Sequence, residues 1–117
     1  MSQTQTKGAC LVIGAGDGVG GAIARAFALD GYDTVITRRA RNLDQLEALA
    51  DGIRAEGGIV HARGVDARSE EETIALFAEI EREIGPLEVV VFNIGANVRF
   101  GIEETTARVF SKVWEMA

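Results

Sequence analysis

The sequence predicts an α/β fold, a doubly wound parallel sheet of about four strands with helices on both faces. Apolar, β-branched segments at residues 9–13, 33–37, 59–63 and 87–92 recur at even spacing, and each is followed by a helical pattern. That alternation defines βαβ units, whose right-handed crossovers place helices on both sides of a parallel sheet. The first strand runs into a glycine-rich turn, Gly14-Ala15-Gly16-Asp17-Gly18-Val19-Gly20, and a helical pattern leaves it. With 117 residues, 47% of them hydrophobic, one domain with a real core is expected over residues 1–117.

The first helix is expected from Val19 to Leu29. Ile23, Ala26 and Phe27 point inward, Ala22, Ala24, Ala26 and Ala28 allow close approach to the sheet, and Gly31 ends the helix as the residue after the cap. The second helix, 42 to about 56, carries Leu43, Leu46, Leu49, Ala50 and Ile53 on one stripe and stops at Gly57-Gly58. Ser69 caps the third, with Glu72 three residues later as the partner of a capping box. Its predicted buried stripe is Ile74, Phe77, Ile80 and Ile84, and Gly85-Pro86 ends it. A last amphipathic helix starts around Thr105 or Thr106 and carries Val109, Phe110, Val113 and Trp114, with Phe110 and Trp114 read as core residues.

Composition excludes several classes of function. The polar opening, Met1 to Lys7, lacks the apolar segment of a signal peptide, and no apolar run approaches the ~20 residues of a membrane span. The single cysteine, Cys10, forms no internal disulfide and is expected to be a buried packing residue, which suits a cytoplasmic location. A net charge of -6 argues against nucleic acid as a partner, and the acidic runs are expected to be solvated helix faces. No metal site is expected.

In an open α/β sheet, ligands bind beyond the carboxyl ends of the strands. Four positions fall there: the glycine turn, Thr37-Arg38-Arg39, Asp66-Ala67-Arg68 and Asn93-Ile94-Gly95. A glycine turn feeding a helix brings backbone amides and the positive helix end to a phosphate, so Gly14, Asp17, Gly18, Val19 and Gly20 read as a dinucleotide pyrophosphate site. Asp17 runs against this, because it puts negative charge near the phosphates. About 20 residues past such a motif, NAD-binding units carry an acid for the ribose hydroxyl. Thr37 stands there instead, followed by Arg38 and Arg39, whose guanidinium groups suit a 2′-phosphate. NADP(H) is therefore preferred, with NAD(H) as the alternative. The alternative is that Arg38, Arg39 and Arg41 form a solvated start to the second helix. Asp66 accepts from the adenine amino group or makes a turn, and Ala67 packs on the ring. Asn93 and Gly95 face the ribose, Asn97 and Arg99 are loop residues with a lesser claim on the nicotinamide side, and His61 reads as a core or edge residue.

Taken together, these positions resemble the short-chain dehydrogenase/reductase family over essentially the whole chain. The family's Thr-Gly-x-x-x-Gly-x-Gly signature is matched at Gly14, Gly18 and Gly20, with Ile13 in place of threonine. Gly21 to Ala28 is similar to its first helix, and Val65-Asp66 to its adenine-side motif. Asn93 and Gly95 match its Asn-Asn-Ala-Gly segment, from which Phe92 and Ile94 depart. The resemblance implies a Rossmann-type fold and NAD(P)-dependent hydride transfer between a carbonyl and an alcohol, in a homo-oligomer at full length. It also implies a catalytic serine and a Tyr-x-x-x-Lys motif. Tyr32 and Lys112 do not form that motif, and the family's helix asparagine would fall near Ala117.

The chain is thus expected to be the N-terminal, cofactor-binding half of such an enzyme, truncated after about four strands and inactive alone. Its outer strand and last helix then offer an apolar association surface. Two alternatives remain at this stage. One is a non-catalytic nucleotide-binding module. The other is an S-adenosylmethionine-dependent methyltransferase, which Gly14 to Gly18 resembles but which Val12, Thr37 and the arginines disfavour.

Overall fold

The structure is a computed structural model that describes residues 6–16, 18–94 and 101–116. The elements follow in the order β1 (Ala9–Ile13), α1 (Val19–Leu29), β2 (Asp33–Arg38), α2 (Leu43–Ala55), β3 (Ile59–Gly64), α3 (Glu70–Glu83), β4 (Leu87–Phe92) and α4 (Ala107–Met116). A 3-10 turn, Ala40–Asn42, precedes α2, so the second helix begins one residue later than its apolar pattern suggested. The four strands form one parallel sheet in the order β3-β2-β1-β4. The order reverses direction between β1 and β4, which is the switch point of such a sheet.

Side-chain alternation divides the core in two. Cys10, Val12, Ile36, Val60 and Ala62 point to one face, where Ala24 and Ala28 of α1 and Leu46, Ala50 and Ile53 of α2 cover them. Ala9, Leu11, Ile13 and Val35 point to the other, beneath Leu76 and Ile80 of α3. The central strand β1 is buried at every position. Burial also pushes the Cys10 thiol up to about 11.

Several sequence expectations are corrected. Gly20, Gly21, Ala24 and Ala28 form the face of α1 against the sheet, while Ala22 and Ala26 are exposed. The i, i+4 spacing selects that row, and the alternate alanines lie across the helix. In α3, Ile80 is buried with Phe77 and Ile84 packed beside it as expected, but Leu76 takes the place of Ile74, which is exposed. The Ser69 hydroxyl accepts from the Glu72 amide at 3.2 Å as predicted, but the Glu72 carboxylate takes the Asp66 amide at 3.1 Å, making half a capping box.

The glycine stops behave as expected. Gly31, at φ +104°, closes α1: its own amide donates to Ala28 O, and the Tyr32 amide donates to Phe27 O. The Phe27 and Tyr32 rings then meet edge to face at 5.3 Å.

Phe110 and Trp114 are not core residues. They are 66% and 77% exposed, and no described helix or strand covers them. The side chain of Val113 lies outside the described part. On β4, Val90 and Phe92 face the α3 side and are exposed too, since α3 covers only the β1 and β2 columns there.

Candidate functional site

Beyond the carboxyl ends of the strands lies an open crevice of about 330 Å³. Its walls are the four stretches that the topology places there: Ile13, Gly14 and Gly16 after β1, Thr37 to Asn42 after β2, Val65 to Arg68 after β3, and Asn93 and Ile94 after β4. Arg38, Arg39, Asp66, Ala67, Gly14 and Asn93 are therefore brought together, as the sequence suggested. Gly18, Val19 and Gly20 stand beside the crevice at the start of α1. Asp17, Gly95, Asn97 and Arg99 lie outside the described residues.

The glycine turn is tied to both neighbouring strands. The amides of Gly14 and Ala15 both donate to Thr37 O at 3.0 Å, and the Asn93 amide donates to Ile13 O at 2.8 Å. The Asn93 side chain adds a longer bond from Nδ2 to Gly14 O, 3.4 Å. Gly14 sits at φ +90°, where a side chain is strained, and a Cβ there would also collide with the Asn93 carbonyl. A Cβ on Gly20 would strike Gly14 O and come within 2.9 Å of Asn93 Nδ2. These two glycines are filled against by protein. Gly16 and Gly18 are not: Gly18 has no atom within 4 Å of a built Cβ, and at Gly16 the nearest is Arg38 Cζ at 3.8 Å. The turn thus presents bare backbone to the crevice.

The helix that follows adds a positive end. Gly18 caps α1 without a side-chain hydrogen bond, and the first turn holds no acidic residue. The leading amides of a helix lack intrahelical partners and carry about half a positive charge. An anion at this end supplies what the helix itself lacks.

Four arginines and one carboxylate line the crevice: Arg38, Arg39, Arg41, Arg68 and Asp66. Arg38 Nη1 donates to Gln45 Oε1 of α2 at 2.9 Å. Asp66 makes the turn that the sequence left open as one of its roles, with Oδ1 accepting from the Arg68 amide at 2.9 Å. Arg68 then folds back on it, Nε on Oδ1 and Nη2 on Oδ2, both at 3.2 Å. The Arg68 hydrogen bonds chiefly, with the charges of Arg68 and Arg39, hold the Asp66 carboxyl below the usual carboxylate range. A carboxylate has about four acceptor directions, so Asp66 keeps capacity for a further donor.

Gly16, Arg41 and Arg68 were named from the sequence only as members of their stretches, and Gln45 not at all. The two-residue spacing of Asp66 and Arg68 is a turn signal that pointed to Arg68. Nothing local marks Gln45, seven residues past Arg38, because their meeting depends on how α2 docks. His61 and Tyr32 lie elsewhere. His61 Nε2 meets Asp33 Oδ1 at 2.6 Å, and Tyr32 precedes β2 at the opposite end of the sheet. Lys112, on α4, is 3.8 Å from Glu115.

This architecture is the Rossmann-type doubly wound sheet, with its crevice at the switch point in strand order. The chain belongs to the short-chain dehydrogenase family, whose sequence profile ("short chain dehydrogenase") it matches over residues 8–117. It is 32% identical over 98 residues to a fatty acyl-CoA reductase of Mycobacterium tuberculosis, covering 84% of this chain and 33% of that one. It is likewise 32% identical over 94 residues to the gluconate 5-dehydrogenase of Gluconobacter oxydans, covering 80% and 36%. Among solved structures, a short-chain dehydrogenase from Rhodopseudomonas palustris superposes with a TM-score of 0.78 at 49% identity, covering 93% of this chain and 50% of that one. An actinorhodin polyketide ketoreductase variant crystallised with NADPH gives a TM-score of 0.82 at 28% identity, covering 99% and 43%. The chain spans about a third of the length of these curated relatives. Among the described residues, no helix is long and apolar enough to cross a membrane.

Proposed function

We propose that residues 1–117 form one dinucleotide-binding unit that takes NADP(H) in preference to NAD(H), serving hydride transfer between a carbonyl and an alcohol. One observation carries the reading: among the described residues, four arginines and one carboxylate line the crevice of a chain whose net charge is -6. Two bridging phosphates need only the glycine turn and helix end. The surplus of guanidinium groups after β2 fits a third phosphate on the adenosine ribose.

In this reading Gly14, Asp17, Gly18, Val19 and Gly20 surround the pyrophosphate, and Arg38 and Arg39 take the 2′-phosphate. Asp66 and Ala67 meet the adenine, while Asn93 and Gly95 border the ribose on the nicotinamide side. The backbone at Gly16 and Gly18, which no described residue crowds, suits a ligand held at van der Waals distance. Bound there, the nicotinamide supplies the hydride chemistry, and the chain's own residues bind and orient it. The names of the relatives, a reductase and a dehydrogenase, agree with that chemistry. The unit is placed in the cytoplasm and in a homo-oligomer at full length, for which the exposed Phe92, Phe110 and Trp114 offer apolar surface.

The 117-residue chain is expected to bind without turnover. Its one tyrosine, Tyr32, is held against Phe27 at the wrong end of the sheet for proton transfer at the crevice. Calorimetric titration with NADPH, NADH and S-adenosylmethionine tests the reading. NADPH should bind at least about tenfold more tightly than NADH. Equal affinity for the two, or tighter binding of S-adenosylmethionine, overturns it.

A further inference from the structure

Among the described arginines that another side chain holds, Arg38 differs in the kind of group that holds it. Arg25, Arg54, Arg63, Arg68 and Arg82 each meet a carboxylate, on Glu56, Asp51, Glu79, Asp66 and Glu83 respectively. Arg38 meets an amide, with Nη1 donating to Gln45 Oε1 at 2.9 Å. A carboxylate both orients a guanidinium and cancels its charge, whereas an amide oxygen orients it and leaves the charge intact. The place where Arg38 is held is also specific. Its guanidinium carbon lies 3.8 Å from where a Cβ on Gly16 would stand, so the cation is parked beside the bare backbone of the turn.

We infer that Gln45 is a positioning residue for cofactor specificity: it holds the Arg38 guanidinium, uncancelled by any carboxylate among the described residues, where the 2′-phosphate of NADP(H) arrives. The inference rests on the NADP(H) reading above and adds to it a residue of α2 that does not line the crevice and reaches it only through Arg38. Arginine loses much rotamer freedom when it binds an anion. Gln45 removes part of that loss before the ligand arrives, so its effect falls on the phosphate-bearing cofactor alone.

The test is a double-mutant cycle on the 117-residue chain, read by titration with NADPH and NADH. Gln45→Met, which keeps the side chain's length and removes the acceptor, should weaken NADPH binding about three- to tenfold and leave NADH unchanged. In an Arg38→Met background the same substitution should have no further effect. Gln45→Glu restores the acceptor but cancels the charge, and should weaken NADPH at least as much as Gln45→Met does. Gln45 is on the exposed side of α2, so thermal melting of each variant should match the parent. Gln45→Ala serves as a second deletion of the acceptor. The inference fails alone if the parent prefers NADPH and Gln45→Met binds it equally well, loses NADH to the same extent, or retains its effect without Arg38. A parent that shows no preference for NADPH overturns the cofactor reading and this inference with it.

Discussion

Replacing Gly16 and Gly20 by alanine, one at a time, separates the two uses of glycine in the turn. A Cβ at Gly20 meets Asn93 Nδ2 at 2.9 Å and Ala15 Cα at 3.0 Å, besides colliding with Gly14 O, so α1 must move off the turn to accept it. Overpacking of this kind costs about 1–3 kcal/mol. For a domain of this size, each kcal/mol lowers the melting temperature by about 4–8 °C. At Gly16 the nearest atoms are Arg38 Cζ at 3.8 Å and Nε at 4.0 Å, which is ordinary contact, so Gly16→Ala should melt within about 2 °C of the parent. Its cost appears only with ligand. If the pyrophosphate lies against this backbone, an added methyl meets it in the same way, and NADPH binding falls about tenfold or more. Differential scanning fluorimetry with and without NADPH reads both effects together. Gly16→Ala should keep its melting temperature and lose the NADPH-induced rise, while Gly20→Ala should lose both. Equal destabilisation by the two substitutions would refute the distinction between filled and open glycines. A Gly16→Ala variant that binds NADPH normally would remove the ligand from this turn.

Other outcomes follow from single groups. Arg39→Ala should weaken NADPH about tenfold or more while changing NADH little, since charge-assisted bonds to a phosphate are the strong kind; titration with both cofactors checks it. Asp66 has a depressed folded value, so its contribution to stability is complete above the ordinary carboxylate value of 3.8 and disappears as pH falls through the lower folded value. Arg68→Ala should move its titration up towards 3.8, measured by NMR of the side-chain carboxyl. Cys10, buried with its thiol pushed up to about 11, should resist a thiol reagent at pH 8 in the native chain and react at once in denaturant. Trp114 fluorescence should be red and quenchable in dilute solution, and should shift blue as concentration rises if the apolar face of α4 associates.

The architecture was legible in the sequence because each element carries its own punctuation. Gly31 and Gly57 take the left-handed conformation that a helix stop uses, at φ +104° and +102°, and no other residue does so at comparable ease. Strand positions followed from β-branched runs, and the parallel order from their alternation with helices. Rows within a helix were less legible. Ile74 and Leu76 are two residues apart and equally apolar, and only the docking angle of α3 decides which of them is buried. The alanines of α1 failed for the same reason, because small size does not report direction. Phe110 and Trp114 show a different limit: their spacing reports a face that is apolar, and no described element covers that face.

The candidate site divides along the same line. The positions of Gly14, Arg38, Asp66 and Asn93 follow from topology, since whatever follows a parallel strand arrives at the same edge of the sheet. What each side chain does there depends on partners distant in sequence. Asp66 illustrates this, because adenine binding and turn formation were posed as alternatives and the structure shows the turn already made. The two are compatible: Arg68 takes both acceptor directions of Oδ1, through its amide and Nε, and one of Oδ2, and leaves the other side of Oδ2 open. Arg68 also keeps Asp66 ionised, so the group offers acceptors only and selects for a donor such as an exocyclic amine. In the proposed reading the crevice meets two opposite demands, with Arg38 and Arg39 facing an anion and Asp66 offering an acceptor. An unpaired Asp66 would cancel part of the arginines' charge. Paired with Arg68, it offers its remaining lone pair while its charge is already matched, so the proposed phosphate and base of one ligand need not compete for the same charge.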